Sequence, residues 1–245
     1  MRIAALIALV PFVVFCQTPP AFEAASIKPN KSGANAMGNR FDPGLMSFTN
    51  NSLVSLLTAA YRIKLYQIAG MPRWAVNEKW DVEATSATPT NLAQKMERLR
   101  TLIAERFRLA FHWETRQVPE FNLEVAKGGL KIQPADPADT SRGHITVRKG
   151  LIEGQKTTMA TLVEFLGSEI GQPVFDKTGL AGEYNFRLEW LPDESQPNGG
   201  HEVPGADASG APVFTAIHEL GLHLAPIKGP LEVMVVDHVE RPEAN

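Results

Sequence analysis

A single cysteine, Cys16, occurs in the 245 residues. It stands at the end of the N-terminal apolar stretch, so the rest of the chain has neither a disulfide framework nor a thiol nucleophile. No basic run is present, nor any stripe of basic and aromatic residues, and the formal net charge is −3. That balance argues against a nucleic-acid or anionic-membrane surface. No G-x-S-x-G elbow, phosphate-binding loop or dinucleotide fingerprint occurs, which removes the best-marked hydrolase and nucleotide-binding classes. No apolar run reaches the length of a bilayer-spanning helix.

What remains is ordinary globular composition, 44% hydrophobic and 21% charged, enough for one large domain or two small ones. The first sixteen residues read as a secretion signal. Arg2 supplies the positive start, residues 3–15 are apolar apart from Pro11, and the polar, proline-rich Gln17-Thr18-Pro19-Pro20 follows. Cys16 allows two outcomes: cleavage just after it, or lipidation of Cys16 itself. Phe15 is bulky where a lipobox needs a small residue, which favours simple cleavage. The mature part is therefore expected outside the cytoplasm, in the periplasm or beyond, without a membrane span. Residues 1–16 hold one base and no acid, so the remainder carries a formal −4.

Two composition breaks divide that remainder. Residues 128–143 are rich in Gly, Pro and Asp and read as a linker between a first half, 17–127, and a second, 144–245. Residues 192–212 form a polar loop within the second half. The halves repeat one order of patterns. Ser52 precedes Leu53, Leu56, Leu57 and Ala60 at helical spacing, and Thr158 precedes Met159, Leu162, Val163 and Leu166. Gly70 and Gly179 mark turns, and the alternating segments at Trp80 and Tyr184 follow. Further helices are expected over 92–107 and 213–220, each running into a strand, a turn proline (Pro119, Pro230) and a last strand. The expected fold is α+β, two pseudo-repeated halves, each with antiparallel strands packed by two helices. Val233-Met234-Val235-Val236 is apolar throughout, which predicts a strand buried on both faces at the centre of a sheet.

Several motifs imitate chemistry. His218-Glu219-Leu220-Gly221-Leu222-His223 spaces its imidazoles five apart, whereas two zinc ligands on one helical face need four, and Gly221 is a helix terminator. A metal or other cofactor is not expected. Lys177-Thr178-Gly179 matches one motif of the penicillin-binding enzymes, but no Ser-x-x-Lys accompanies it. Asp237 and His238 end the apolar strand, where neighbours face opposite sides and cannot easily form a dyad. Trp74 and Trp80 are candidates to line a ligand cleft, as are Trp113 and Trp190.

The segments Phe22-Glu23-Ala24-Ala25-Ser26-Ile27-Lys28-Pro29-Asn30, Ala104-Glu105-Arg106-Phe107, Asp176-Lys177-Thr178-Gly179-Leu180 and Asp237-His238-Val239-Glu240-Arg241-Pro242 resemble a family of soil-associated exported bacterial proteins. That family is classed as a domain of unknown function. The resemblance implies export, and domains like it also occur fused to sensor metallopeptidases of the β-lactamase-regulator type. It carries no catalytic residue with it. The chain is thus expected to be a non-catalytic extracytoplasmic binding or sensing module for a small molecule, a peptide or an envelope component. Asp237, His238, Trp74 and Trp80 are its candidate binding residues. The alternative is a hydrolase using Asp237, His238 and His218.

Overall fold

The computed structural model describes residues 19–33, 36–191 and 211–243. The expected signal peptide, with Cys16, lies outside the described residues, as does nearly all of the polar loop, His201 included. In chain order the elements are β1 (Ala24–Pro29), β2 (Gly38–Asp42), β3 (Leu45–Asn51), α1 (Leu53–Tyr61), β4 (Ile68–Ala69), α2 (Arg73–Asn77), β5 (Trp80–Thr85), α3 (Leu92–Arg106) and β6 (Ala110–Val125). Then come β7 (Gln133–Pro134), β8 (His144–Arg148), β9 (Leu151–Thr157), α4 (Met159–Ile170), β10 (Val174–Asp176), β11 (Tyr184–Glu189), α5 (Val213–Ala216) and β12 (Leu222–His238). The fold is mixed α+β.

The helices form where caps and apolar stripes coincide. Ser52 Oγ accepts the Ser55 N–H at 3.1 Å, and α1 buries Leu53, Leu56, Leu57 and Ala60 completely. Thr158 Oγ1 accepts the Thr161 N–H at 3.2 Å and starts α4, which buries Met159, Leu162 and Leu166 and ends at Gly171 with φ 68°. Asn91 and Gln94 cap the start of α3 reciprocally.

Three four-stranded sheets result, in the orders β1-β5-β3-β2, β10-β6-β12-β4 and β7-β11-β9-β8. The first and third are antiparallel. The middle sheet adds what was not expected, pairing between the halves. Its two outer pairings, β10 with β6 and β12 with β4, are parallel and join strands from opposite sides of residues 128–143. A third helix, the short α2, also stands in the first half, where two were expected.

The prolines also lie elsewhere than expected. Pro119 and Pro230 are not turn residues: β6 and β12 run through them as one antiparallel ribbon, roughly 50 Å long at about 3.3 Å per residue. The reason lies in which way the amides point. Phe121 donates its N–H outward to Pro173 O at 2.9 Å, so amides two residues away on β6 also point away from β12. Pro119 is one of these, and its missing N–H breaks no ladder bond. Pro226 and Pro230 pair with Phe121 and Gln117, the same phase of the ladder, and they face the other outer edge.

The ribbon links two cores. One gathers α1, α3 and the first sheet and receives Met234 and Val236 from β12. The other gathers α4, α5 and the third sheet and takes Leu123 from β6. Val233, Met234 and Val236 are buried while Val235 is half-buried, and β12 lies between β6 and β4, so the run predicted to be buried on both faces is buried at three of its four residues. Leu130 and Ile132 pack on the second core, and β7 pairs with β11, so part of 128–143 is built into that lobe.

Candidate functional site

The first sheet positions a cleft at the start of β5. Trp80, Val82 and Ala84 point into the core, so Asp81 faces the other way. Its Oδ1 accepts the Asn30 side-chain amide at 2.8 Å and the Asn50 N–H at 2.9 Å. The ladder slips between Phe48 and Asn51, and Asn50 takes a left-handed φ of 59° there, a conformation Asn tolerates better than most residues. Asn50 Nδ2 donates to Ala36 O at 3.1 Å and ties the loop after β1 to the sheet.

The opposite wall comes from the chain after β12. Glu240 donates its N–H to Phe107 O at 2.7 Å, which turns Arg241 back over Trp74, 5.0 Å from the ring centroid. The guanidinium then forks onto Glu78, with Nε and Nη2 at 2.7–3.1 Å from the two carboxylate oxygens. This hydrogen bonding holds the Glu78 carboxyl below its ordinary range and raises Arg241. Between the walls lies a cleft of about 800 Å³, bordered by Pro29, Asn30, Asn50, Lys79, Trp80 and Pro242. The Lys79 ammonium has no hydrogen-bond or ion-pair partner among the described residues. The indole N–H of buried Trp80 has no acceptor there either.

Trp80 borders this cleft, and Trp74 lies beneath Arg241 in its wall. Both contact Phe107, Trp74 stacked at 6.5 Å and Trp80 edge-on at 5.6 Å. Trp113 instead joins Tyr61 and Phe111, and Trp190 lies in the second core. Asp237 and His238 have separate partners: His112 Nδ1 lies 3.0 Å from Asp237, and His238 Nε2 lies 2.9 Å from Glu240. His218 precedes β12 while His238 ends it, about 50 Å of strand apart. Its ring is parallel to that of His223 at 6.4 Å, and His223 reaches Glu124 at 3.5 Å. Among the described residues, no group of three His, Cys, Asp or Glu side chains is arranged to hold a metal. None of the described helices is long and apolar enough to cross a membrane.

Sequence reasoning missed Asn30, Asn50, Asp81, Glu78, Arg241 and His112. A partial signal existed for Asp81, the polar residue between Trp80 and Val82. Nothing local could pair Glu78 with Arg241. Two segments quoted for the family resemblance, 22–30 and 237–242, nevertheless end on opposite walls of this cleft.

Residues 54–239 match a family model described as a protein of unknown function, DUF3738. No curated protein and no solved structure matches the chain.

Proposed function

The chain belongs to the DUF3738 family of proteins of unknown function, and from that premise we propose that it is a non-catalytic extracytoplasmic binding module whose ligand occupies the cleft between Trp80 and Arg241. The observation that carries this reading is the combination of an indole floor, an open volume of about 800 Å³ and an unpartnered ammonium at its rim. Small-ligand sites are concave, largely apolar and equipped with a few oriented polar groups. The Glu78–Arg241 fork and the Asp81 hydrogen bonds hold those groups before any ligand arrives. The cleft joins the first lobe to the last residues of the chain, so ligand binding there would clamp the end of β12 onto the first core.

The proposal includes a duplicated scaffold. Ile68 pairs with Met234, and Val174 pairs with Phe121, both in parallel, so each lobe lends one short strand to the other's long one. Asn51 Nδ2 donates to Gly38 O and Thr157 Oγ1 to His144 O, both just ahead of a capped helix. Arg108 and Gly221, each just before a long strand, have φ of 48° and 73°. These correspondences support one unit used twice around a local two-fold axis.

The test is a ligand screen of residues 17–245 by thermal shift, followed by Arg241→Ala. A ligand that binds only the folded state raises the melting temperature, and the variant should lose that rise. A hit that survives Arg241→Ala would place the site elsewhere. Export is tested separately: the N-terminus of protein recovered from outside the cytoplasm should begin at or next to Gln17.

A further inference from the structure

Resting on the reading of the cleft as a ligand site, we propose that its ligand is a monocarboxylate with an apolar body, the carboxylate held between Lys79 and Arg241.

The two cations are held differently. Arg241 commits Nε and Nη2 to Glu78, while Nη1 is without a partner among the described residues. The Trp74 ring beneath the guanidinium and the fork onto Glu78 hold that free edge in place. Lys79 commits nothing. Glu78 is paired with Arg241, and Asp81, behind the floor, is held by amide donors, so the Lys79 ammonium is the cation at this border left uncommitted. One negative charge on the ligand is matched by the free ammonium and the free guanidinium edge. A phosphate dianion would add a second charge facing the same two carboxylates, with no cation left to match it. The rest of the border sets Pro29, Met37, Trp80 and Pro242 beside the amides of Asn30, Asn50 and Asn77, so an apolar body has the prolines, the methionine and the indole to lie against.

The second lobe supplies an internal comparison. Asn30 donates its N–H to Lys79 O, and Ala135 donates its N–H to Glu183 O, both at 2.8 Å, so Glu183 holds the place of Lys79. Lys156, with φ 48° and its N–H on Asn185 Oδ1 at 2.9 Å, holds the place of Asn50. Its ammonium turns onto the carbonyl oxygens of Asp139 and Ser141. Where the first lobe offers an ammonium to open space, the second offers a carboxylate and directs its own lysine onto the adjoining loop. The anion-binding arrangement belongs to one lobe.

The experiment titrates residues 17–245 with 3-phenylpropanoate, 3-phenylpropanamide, 3-phenylpropylamine and phenyl phosphate, read by tryptophan fluorescence and calorimetry. The carboxylate should bind at least tenfold more tightly than the other three. Lys79→Met should weaken it at least tenfold with an unchanged melting temperature, because the Lys79 side chain makes no polar contact in the fold. Lys177→Met, on the second lobe, should leave it unchanged. Equal binding of the amide, a neutral Lys79→Met or preference for the phosphate overturns the carboxylate assignment. Binding of the amine or amide that is lost in Arg241→Ala would keep the cleft as a ligand site while ending this proposal. Failure of all four compounds overturns the proposal, and the wider thermal-shift screen then decides whether the cleft binds anything.

Discussion

Gly221 and Gly129 are in backbone contact across the second lobe: a Cβ placed on Gly221 would lie 2.2 Å from the Gly129 carbonyl oxygen. Gly221 also has φ 73° and receives the Ala126 N–H on its own oxygen at 2.9 Å. It closes the turn into β12 and holds the residues leaving β6 against it.

Gly221→Ala should therefore cost more than a left-handed alanine alone. Gly179 has a similar φ of 69° with open space around it, and Gly179→Ala should cost about 1–2 kcal/mol. Gly221→Ala adds a clash with backbone that cannot rotate away, and we expect at least twice that loss. Urea denaturation of the two variants compares them, and equal midpoints would show that the contact relaxes freely.

Asp81 and Asn185 do the same job in the two lobes, each accepting the N–H of a left-handed residue at 2.9 Å. Asp81 also holds Asn30. Asp81→Ala leaves two donors without acceptors and should cost about 2–3 kcal/mol, while Asn185→Ala, losing one neutral bond, should cost about 1 kcal/mol. Asp81→Ala should also loosen the loop after β1, seen as faster amide exchange near Asn30. Equal losses in the two variants would mean that Asn30 adds nothing.

The helices were legible in the sequence because cap and stripe agree: Ser52 before Leu53, Thr158 before Met159. The burial of Val233, Met234 and Val236 was legible because such a run has no polar face to present to water. The ribbon was not. Pro119 and Pro230 read as breakers, and only the direction of the neighbouring amides shows that no ladder bond is lost. The β2–β3 hairpin was also missed, since Gly38-Asn39-Arg40-Phe41-Asp42 lies exposed at a sheet edge and lacks an apolar alternation, whereas β8–β9 carried a signal that was overlooked, Ile145 and Val147 alternating with polar residues. Of the cleft, the tryptophans were named from the sequence as large apolar groups, but nothing there separated Trp80 from Trp113 or Trp190, which lie elsewhere. The Glu78–Arg241 fork joins residues 163 positions apart, and no local pattern encodes such a pair.

Two carboxylates should shift acid stability in opposite directions. The hydrogen bond from Arg241 lowers Glu78 below its ordinary 4.5, so its contribution is present above that value and is lost as the pH falls through the lowered one. Burial raises Glu169 above 4.5, so its ionised form costs stability at neutral pH, and the cost disappears as the pH falls. Glu78→Gln should flatten the fall in melting temperature below about pH 4.5, whereas Glu169→Gln should raise the melting temperature at pH 7, a gain that shrinks as the pH falls toward 4.5. Parallel melting curves from pH 3 to pH 7 would show that neither group titrates differently on unfolding.

The end of the chain should serve stability and binding through separable segments. Removing residues 231–245 deletes Val233, Met234 and Val236, each buried and each contributing roughly 1.5–3 kcal/mol of burial. It also takes away the strand on which β4 pairs. A loss of about 5–9 kcal/mol stands against a total stability of about 5–15 kcal/mol, so a chain ending at Pro230 should be protease-sensitive or insoluble. A chain ending at Val239 keeps all of β12 but lacks Arg241 and Pro242, so it should melt within a few degrees of the full chain and yet fail to bind the cleft's ligand. A chain ending at Glu243 should match the full protein in both respects. Cooperative melting of the shortest chain would mean that the ribbon stands without the end of β12, and ligand binding by the chain ending at Val239 would remove Arg241 from the site.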